Sequence, residues 1–100
     1  MNDLTQLKKD IAISYDVSRW SKIAIIRDVE FTIIRRHHIY TISCGNLPKI
    51  TFRPVYEFGL KSGVYYVYDG VLYSTNEIVY ALYIASFDLR LLAEKQGRIK

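Results

Sequence analysis

Cysteine is nearly absent from this chain of 100 residues: Cys44 stands alone, so no intramolecular disulfide can form and a disulfide-stapled secreted scaffold is excluded. Long apolar runs are missing too. The longest tempting charge-free stretch, residues 78–87, is about half the ~18 residues that a membrane span needs. Residues 1–4 are polar or acidic at two of four positions and form no apolar signal core, so the expectation is a soluble, intracellular, cytoplasmic protein. Internal repeats and low-complexity segments are also lacking, and the length allows one domain, residues 1–100, burying roughly 60–70% of its unfolded surface.

What is present is a globular composition, 50% hydrophobic and 24% charged, with a formal charge of +4. The positive charge is concentrated in residues 19–61. There Arg19, Lys22, Arg27, Arg35, Arg36, Lys49, Arg53 and Lys61 face only Asp28, Glu30 and Glu57. Such a segment can meet a polyanion such as nucleic acid; the alternative is that a modest positive charge simply keeps the protein soluble.

Leu4, Leu7 and Ile11 recur at three-four spacing, which predicts a helix over residues 3–14 with Lys8, Lys9 and Asp10 turned outward. Ser18 is a candidate cap for a short helical turn through Trp20. From Lys22 onward β-branched residues dominate. Val29, Phe31 and Ile33 alternate with polar neighbours, and Ile39, Tyr40, Thr41 and Ile42 follow the cluster Arg35-Arg36-His37-His38, which predicts two strands joined there. Gly45-Asn46-Leu47-Pro48 reads as a turn, and Pro54 must interrupt the strand begun by Ile50-Thr51-Phe52 or confine it to an edge.

The strongest local signal is Asp69-Gly70 between two runs of tyrosine and aliphatic residues, a two-residue hairpin turn that accepts positive φ at both positions. Its register pairs Tyr68 with Val71, Val67 with Leu72 and Tyr66 with Tyr73. Tyr65, Val67 and Leu72 look like the conventional core face, which leaves Tyr66, Tyr68 and Tyr73 together on the other. Ser74-Thr75-Asn76-Glu77 is a capping box that starts a helix reaching about Lys95. That helix carries a core stripe of Ile78, Leu82, Ala85, Leu89 and Leu92 and a second apolar flank of Tyr80, Tyr83, Ile84, Phe87 and Leu91. It is therefore either sandwiched between sheet and N-terminal helix or packed on a second copy as a homodimer. The expected class is α+β: an N-terminal helix, about five mainly antiparallel strands within residues 22–73, and a long C-terminal helix on one sheet face.

Catalytic and metal signatures do not emerge. On one continuous strand His38 and Cys44 would lie about 20 Å apart, and no second cysteine or ligand pair stands at zinc spacing, so no metal and no cofactor is expected. Gly59-Leu60-Lys61-Ser62-Gly63 has neither the spacing nor the following helix of a phosphate loop. A small ribonuclease using Arg35, His37 or His38 and a tyrosine is a conceivable enzyme. Residues 61–68 are superficially similar to the aromatic strand of the RNA-recognition motif, but the glycine is displaced by one position and the two βαβ halves are missing.

The runs Ile23-Ala24-Ile25-Ile26, Ile39-Tyr40-Thr41-Ile42 and Tyr65-Tyr66-Val67-Tyr68, with few glutamines and one cysteine, resemble in composition the small orphan proteins of viruses infecting thermophilic archaea. That resemblance implies a viral regulator in the host cytoplasm, often dimeric, that binds DNA or a host protein. Two functional expectations follow. The first is non-enzymatic DNA or RNA binding through Arg27, Arg35, Arg36, His37, Lys49, Arg53 and Lys61. The second is a protein interface formed by Tyr66, Tyr68, Tyr73, Tyr80, Tyr83 and Phe87.

Overall fold

A computed structural model describes residues 3–14, 19–57 and 63–97. Helix α1 (Asp3–Ser14) is followed by β1 (Arg19–Ile26), β2 (Val29–Arg36), β3 (Ile39–Ser43) and β4 (Ile50–Phe52). Next come β5 (Val55–Glu57), β6 (Gly63–Tyr68), β7 (Val71–Ser74), one 3₁₀ turn (Thr75–Glu77) and helix α2 (Ile78–Lys95). The class is α+β, as the sequence pattern predicts. The strands form two antiparallel sheets, one ordered β1-β2-β3-β4 and the other β5-β6-β7.

The extra strands have local causes. Arg19 and Trp20 begin β1, paired with Arg36 and Arg35, in place of the helical turn expected through Trp20. Pairing along the full length of β2 outweighs a single helical turn, and the candidate cap Ser18 lies outside the described residues. The run from Lys22 to Ile34 is split by a tight turn at Arg27-Asp28, both with positive φ (51° and 66°). Pro54 ends the first sheet: β4 stops at Phe52, and the chain re-enters strand at Val55 in the second sheet.

Both sheets turn one face to a shared core. Ala24, Ile26, Phe31, Ile33, Tyr40, Ile42 and Phe52 are buried from the first sheet, and Leu7 and Ile11 from α1. The aromatic pairs Tyr40–Tyr66, with centroids 5.7 Å apart, and Phe52–Tyr68, at 5.2 Å, join the sheets across it. Helix α2 lies against α1, β3 and β7, while Tyr80, Ile84 and Leu91 of its second apolar flank stay exposed. Its start follows the capping box, with the Ser74 N–H donating to Glu77 Oε1 at 3.0 Å. Among the described residues no helix is long and apolar enough to cross a membrane.

The hairpin register holds pair for pair, Tyr66 with Tyr73, Val67 with Leu72 and Tyr68 with Val71, and Asp69 and Gly70 both take positive φ. Its two faces are reversed. Tyr66 is fully buried, and Tyr68 and Tyr73 pack against the core, while Val67 and Leu72 are 52% and 43% exposed. The tyrosines win the interior because aromatic side chains bury the larger apolar area and the hydroxyls still reach partners. Tyr66 donates to the carbonyl of His38 at 2.6 Å, and Tyr68 to the carboxylate of Asp88.

Candidate nucleic-acid interface

Both helices pack on the inner side of the four-stranded sheet, which leaves its outer face open. Strand alternation sends Arg19, Ser21, Ile23 and Ile25 of β1 outward, with Glu30, Thr32, Ile34 and Arg36 of β2 beside them. The pairings Arg19 with Arg36, Arg36 with Ile39, and Thr41 with Thr51 continue this face across β3 and β4. Arg53, just past β4, extends the row Arg19-Arg36-Ile39. That row spans three strand spacings, about 14 Å at ~4.8 Å each.

Arg36, Lys49 and Arg53 converge with Ile34, Ile39, Thr41 and Thr51 around one shallow cavity of about 370 Å³. A neighbouring hollow is lined by Arg19, Trp20, Ser21, Ile34 and Arg36. Among the described residues the ion pairs are Lys22–Asp10 and Arg90–Glu94, so Arg19, Arg36, Lys49 and Arg53 face solvent without a carboxylate partner there. The acid on this face, Glu30, sits at the opposite end, beside Ile25. Four fixed cations separated by the hydroxyls of Ser21, Thr41 and Thr51 can bind phosphate oxygens by charge and by hydrogen bonds.

Other expected members lie elsewhere. Arg35 is only 6% exposed, because its position in β2 alternates inward, and its Nη1 donates to the carbonyl of His37 at 2.7 Å. It fastens the β2–β3 turn from inside and presents no charge to a ligand. Arg27 occupies the β1–β2 turn with its guanidinium 5.2 Å from the ring centroid of Phe87, facing α2. His37 is exposed at the tip of the β2–β3 turn with φ 56°. Lys61 lies outside the described residues. Arg19 and the three hydroxyls were missed, and the signal for them is the Arg-x-Ser alternation that appears once β1 starts at Arg19.

The aromatic set divides in the same way. Tyr66 is interior and cannot contact a partner. Tyr68 is half-buried, and its phenol is pushed well above its usual range, first by burial and then by the hydrogen bond to Asp88. Tyr73 is half-buried against the core. On α2, the Lys8 ammonium sits 4.7 Å from the Tyr80 ring centroid, and Tyr83 and Phe87 pack edge to face at 4.7 Å. The exposed apolar residues of the second sheet are instead Val71, on the tyrosine face, and Val55, Val67 and Leu72 on the other, flanking Tyr65.

Among the described residues no three His, Cys, Asp or Glu side chains gather as metal ligands. The Tyr66 hydroxyl meets the backbone of His38, not its imidazole. Comparison of the chain with protein-family models, curated proteins and solved structures finds no match.

Proposed function

We propose that the protein is a non-enzymatic nucleic-acid-binding protein whose outer four-stranded face lies on the phosphate backbone of a duplex. The observation that carries this reading is the convergence of Arg36, Lys49 and Arg53, with Arg19 beside them, on one helix-free face. Duplex is favoured over single strand because, among the described residues lining the two hollows, Trp20 is a lone aromatic beside isoleucines and hydroxyls, and successive splayed bases need more than one ring to stack on. A sheet about 14 Å across is also broader than the ~12 Å major groove, so it rests across phosphates and reads little sequence.

Fluorescence anisotropy with a duplex of mixed sequence tests this. Four phosphate contacts give a slope of about −3.6 in log affinity against log salt. The double variant Arg36→Gln/Arg53→Gln should bind far more weakly with about half that slope. Absence of duplex binding at ~50 mM salt, where phosphate contacts dominate, rejects the reading.

A second reading, a protein-interaction module, draws on a different face. Val55, Val67 and Leu72 leave an apolar surface on the three-stranded sheet. Binding there would respond little to salt and would fall with Val67→Lys, not with Arg36→Gln.

A further inference from the structure

β1 is as long as any strand in the protein, yet it lies at the edge of its sheet. Sheet edges are ordinarily blunted by short strands, prolines, bulges or unpaired charges. The opposite edge follows that rule, since β4 has three residues and Pro54 comes two positions later. β1 does not. It pairs with β2 without a bulge over all eight residues, it lacks proline, and its Lys22 is engaged by Asp10 at 3.5 Å. Its outward side chains Ile23 and Ile25, 62% and 61% exposed, are the most exposed large hydrophobic residues among those described.

We infer that β1 pairs antiparallel with β1 of a second copy, about a two-fold axis at Ala24, to make a continuous eight-stranded sheet. Self-pairing of one edge is isologous and closes at two copies. The axis at Ala24 follows from the side chains. It sets Ile23 opposite Ile25 of the second copy and the reverse, gathering four isoleucines on the outer face. It also sets Lys22 opposite Ile26, so like charges do not meet. An axis at Ile23 would oppose Arg19 to Arg27, and one at Ile25 would oppose Ile23 to Arg27.

The second copy completes the phosphate-binding face. In this register the two Arg19-Arg36-Arg53 rows lie ten residues apart along the strand direction, about 33 Å at ~3.3 Å per residue. That separation matches one turn of B-form duplex, roughly 34 Å. The spacing argument rests on the nucleic-acid reading, whereas the strand pairing does not.

Sedimentation equilibrium of the full chain without nucleic acid should give a dimer at micromolar concentration. Ile23→Lys/Ile25→Lys should give a folded monomer with an unchanged circular-dichroism spectrum, whose thermal transition no longer rises with protein concentration as that of the wild-type dimer does. In a Cys44→Ser background, Ala24→Cys should cross-link between copies under mild oxidation, since directly opposed Cα atoms lie ~4.5–5.5 Å apart, within disulfide reach. Ile25→Cys should not, because its own counterpart is offset by two residues, beyond the ~7 Å limit. A wild-type monomer at high micromolar concentration, a dimer that survives the double lysine variant, or cross-linking at 25 in preference to 24 would overturn the pairing. Affinity of an intact dimer that does not rise between duplexes of about 10 and 20 base pairs would overturn the one-turn spacing alone.

Discussion

The phenol of Tyr66 donates to the backbone carbonyl of His38 at 2.6 Å, tying the β6–β7 hairpin to the β2–β3 turn across 28 positions of sequence. The bond links the two sheets at the end where Arg36 and Arg53 project. Tyr66→Phe keeps the ring and its edge-on contact with Tyr40 but strips the carbonyl of this donor. The expected loss is about 1 kcal/mol in denaturant unfolding. Tyr66→Ala also empties a core site and should cost roughly 3–5 kcal/mol.

Arg35 and Arg36 are adjacent in sequence and opposite in consequence. Arg35→Ala removes a charged donor from an interior carbonyl and vacates packed space, so about 1.5–3 kcal/mol of stability should be lost. Arg36→Ala should change stability by less than about 0.5 kcal/mol. It should instead reduce the salt slope of duplex binding by about 0.9. Urea melts and salt titrations of the two variants separate these roles.

Tyr68 and Asp88 fix the second sheet to α2, and their contact is pH-dependent. Burial, followed by the hydrogen bond and charge of Asp88, holds the folded-state phenol pKa above its unfolded value near 10.0. A raised folded pKa means that the contribution is fully present below about pH 10 and declines as pH climbs toward the folded value. Ultraviolet titration of tyrosinate should therefore find Tyr68 among the late-ionising phenols. Asp88→Asn should bring it back toward the others, and Tyr68→Phe should remove it. If all the tyrosines ionise together in the wild type, the contact is not maintained in solution.

Both helices and the tyrosine hairpin were legible in the sequence because their signals are local. Leu4, Leu7 and Ile11 repeat with the helical period, Ser74 and Glu77 form a cap by themselves, and Asp69-Gly70 supplies the backbone geometry of its turn. Which hairpin face turns inward was not local. Period-two alternation sorts Tyr66, Tyr68 and Tyr73 from Tyr65, Val67 and Leu72, but the partners Tyr40, Phe52 and Asp88, all remote in sequence, choose between the two sets. The candidate site behaves in the same way. Charge asymmetry pointed to the central segment, while strand parity sent Arg36 outward and Arg35 inward, and tertiary contact turned Arg27 toward Phe87.

The β1–β2 turn was invisible because its residues, Arg27-Asp28, are not those that a tight hairpin prefers. Both take positive φ, where the usual pair is Asn-Gly, so the turn is held from outside. The Arg27 N–H donates to Asp3 Oδ2 at 2.8 Å, its carbonyl accepts from Arg90 Nη1, and its guanidinium stacks on Phe87. Among the described residues Asp28 shows none of these contacts, so its left-handed backbone carries a cost that only the tolerance of Asp for that region reduces. Asp28→Gly relieves that strain and gives back part of the gain as unfolded-chain entropy, so net stabilisation of up to about 1 kcal/mol is expected. Arg27→Gly relieves the same kind of strain but forfeits a cation–π contact of about 0.5–1 kcal/mol, and it should be neutral or destabilising. Chemical denaturation of the two glycine variants checks the ordering. Equal stabilisation by both would mean that the Phe87 stack contributes nothing, and the turn would then be set by backbone geometry alone.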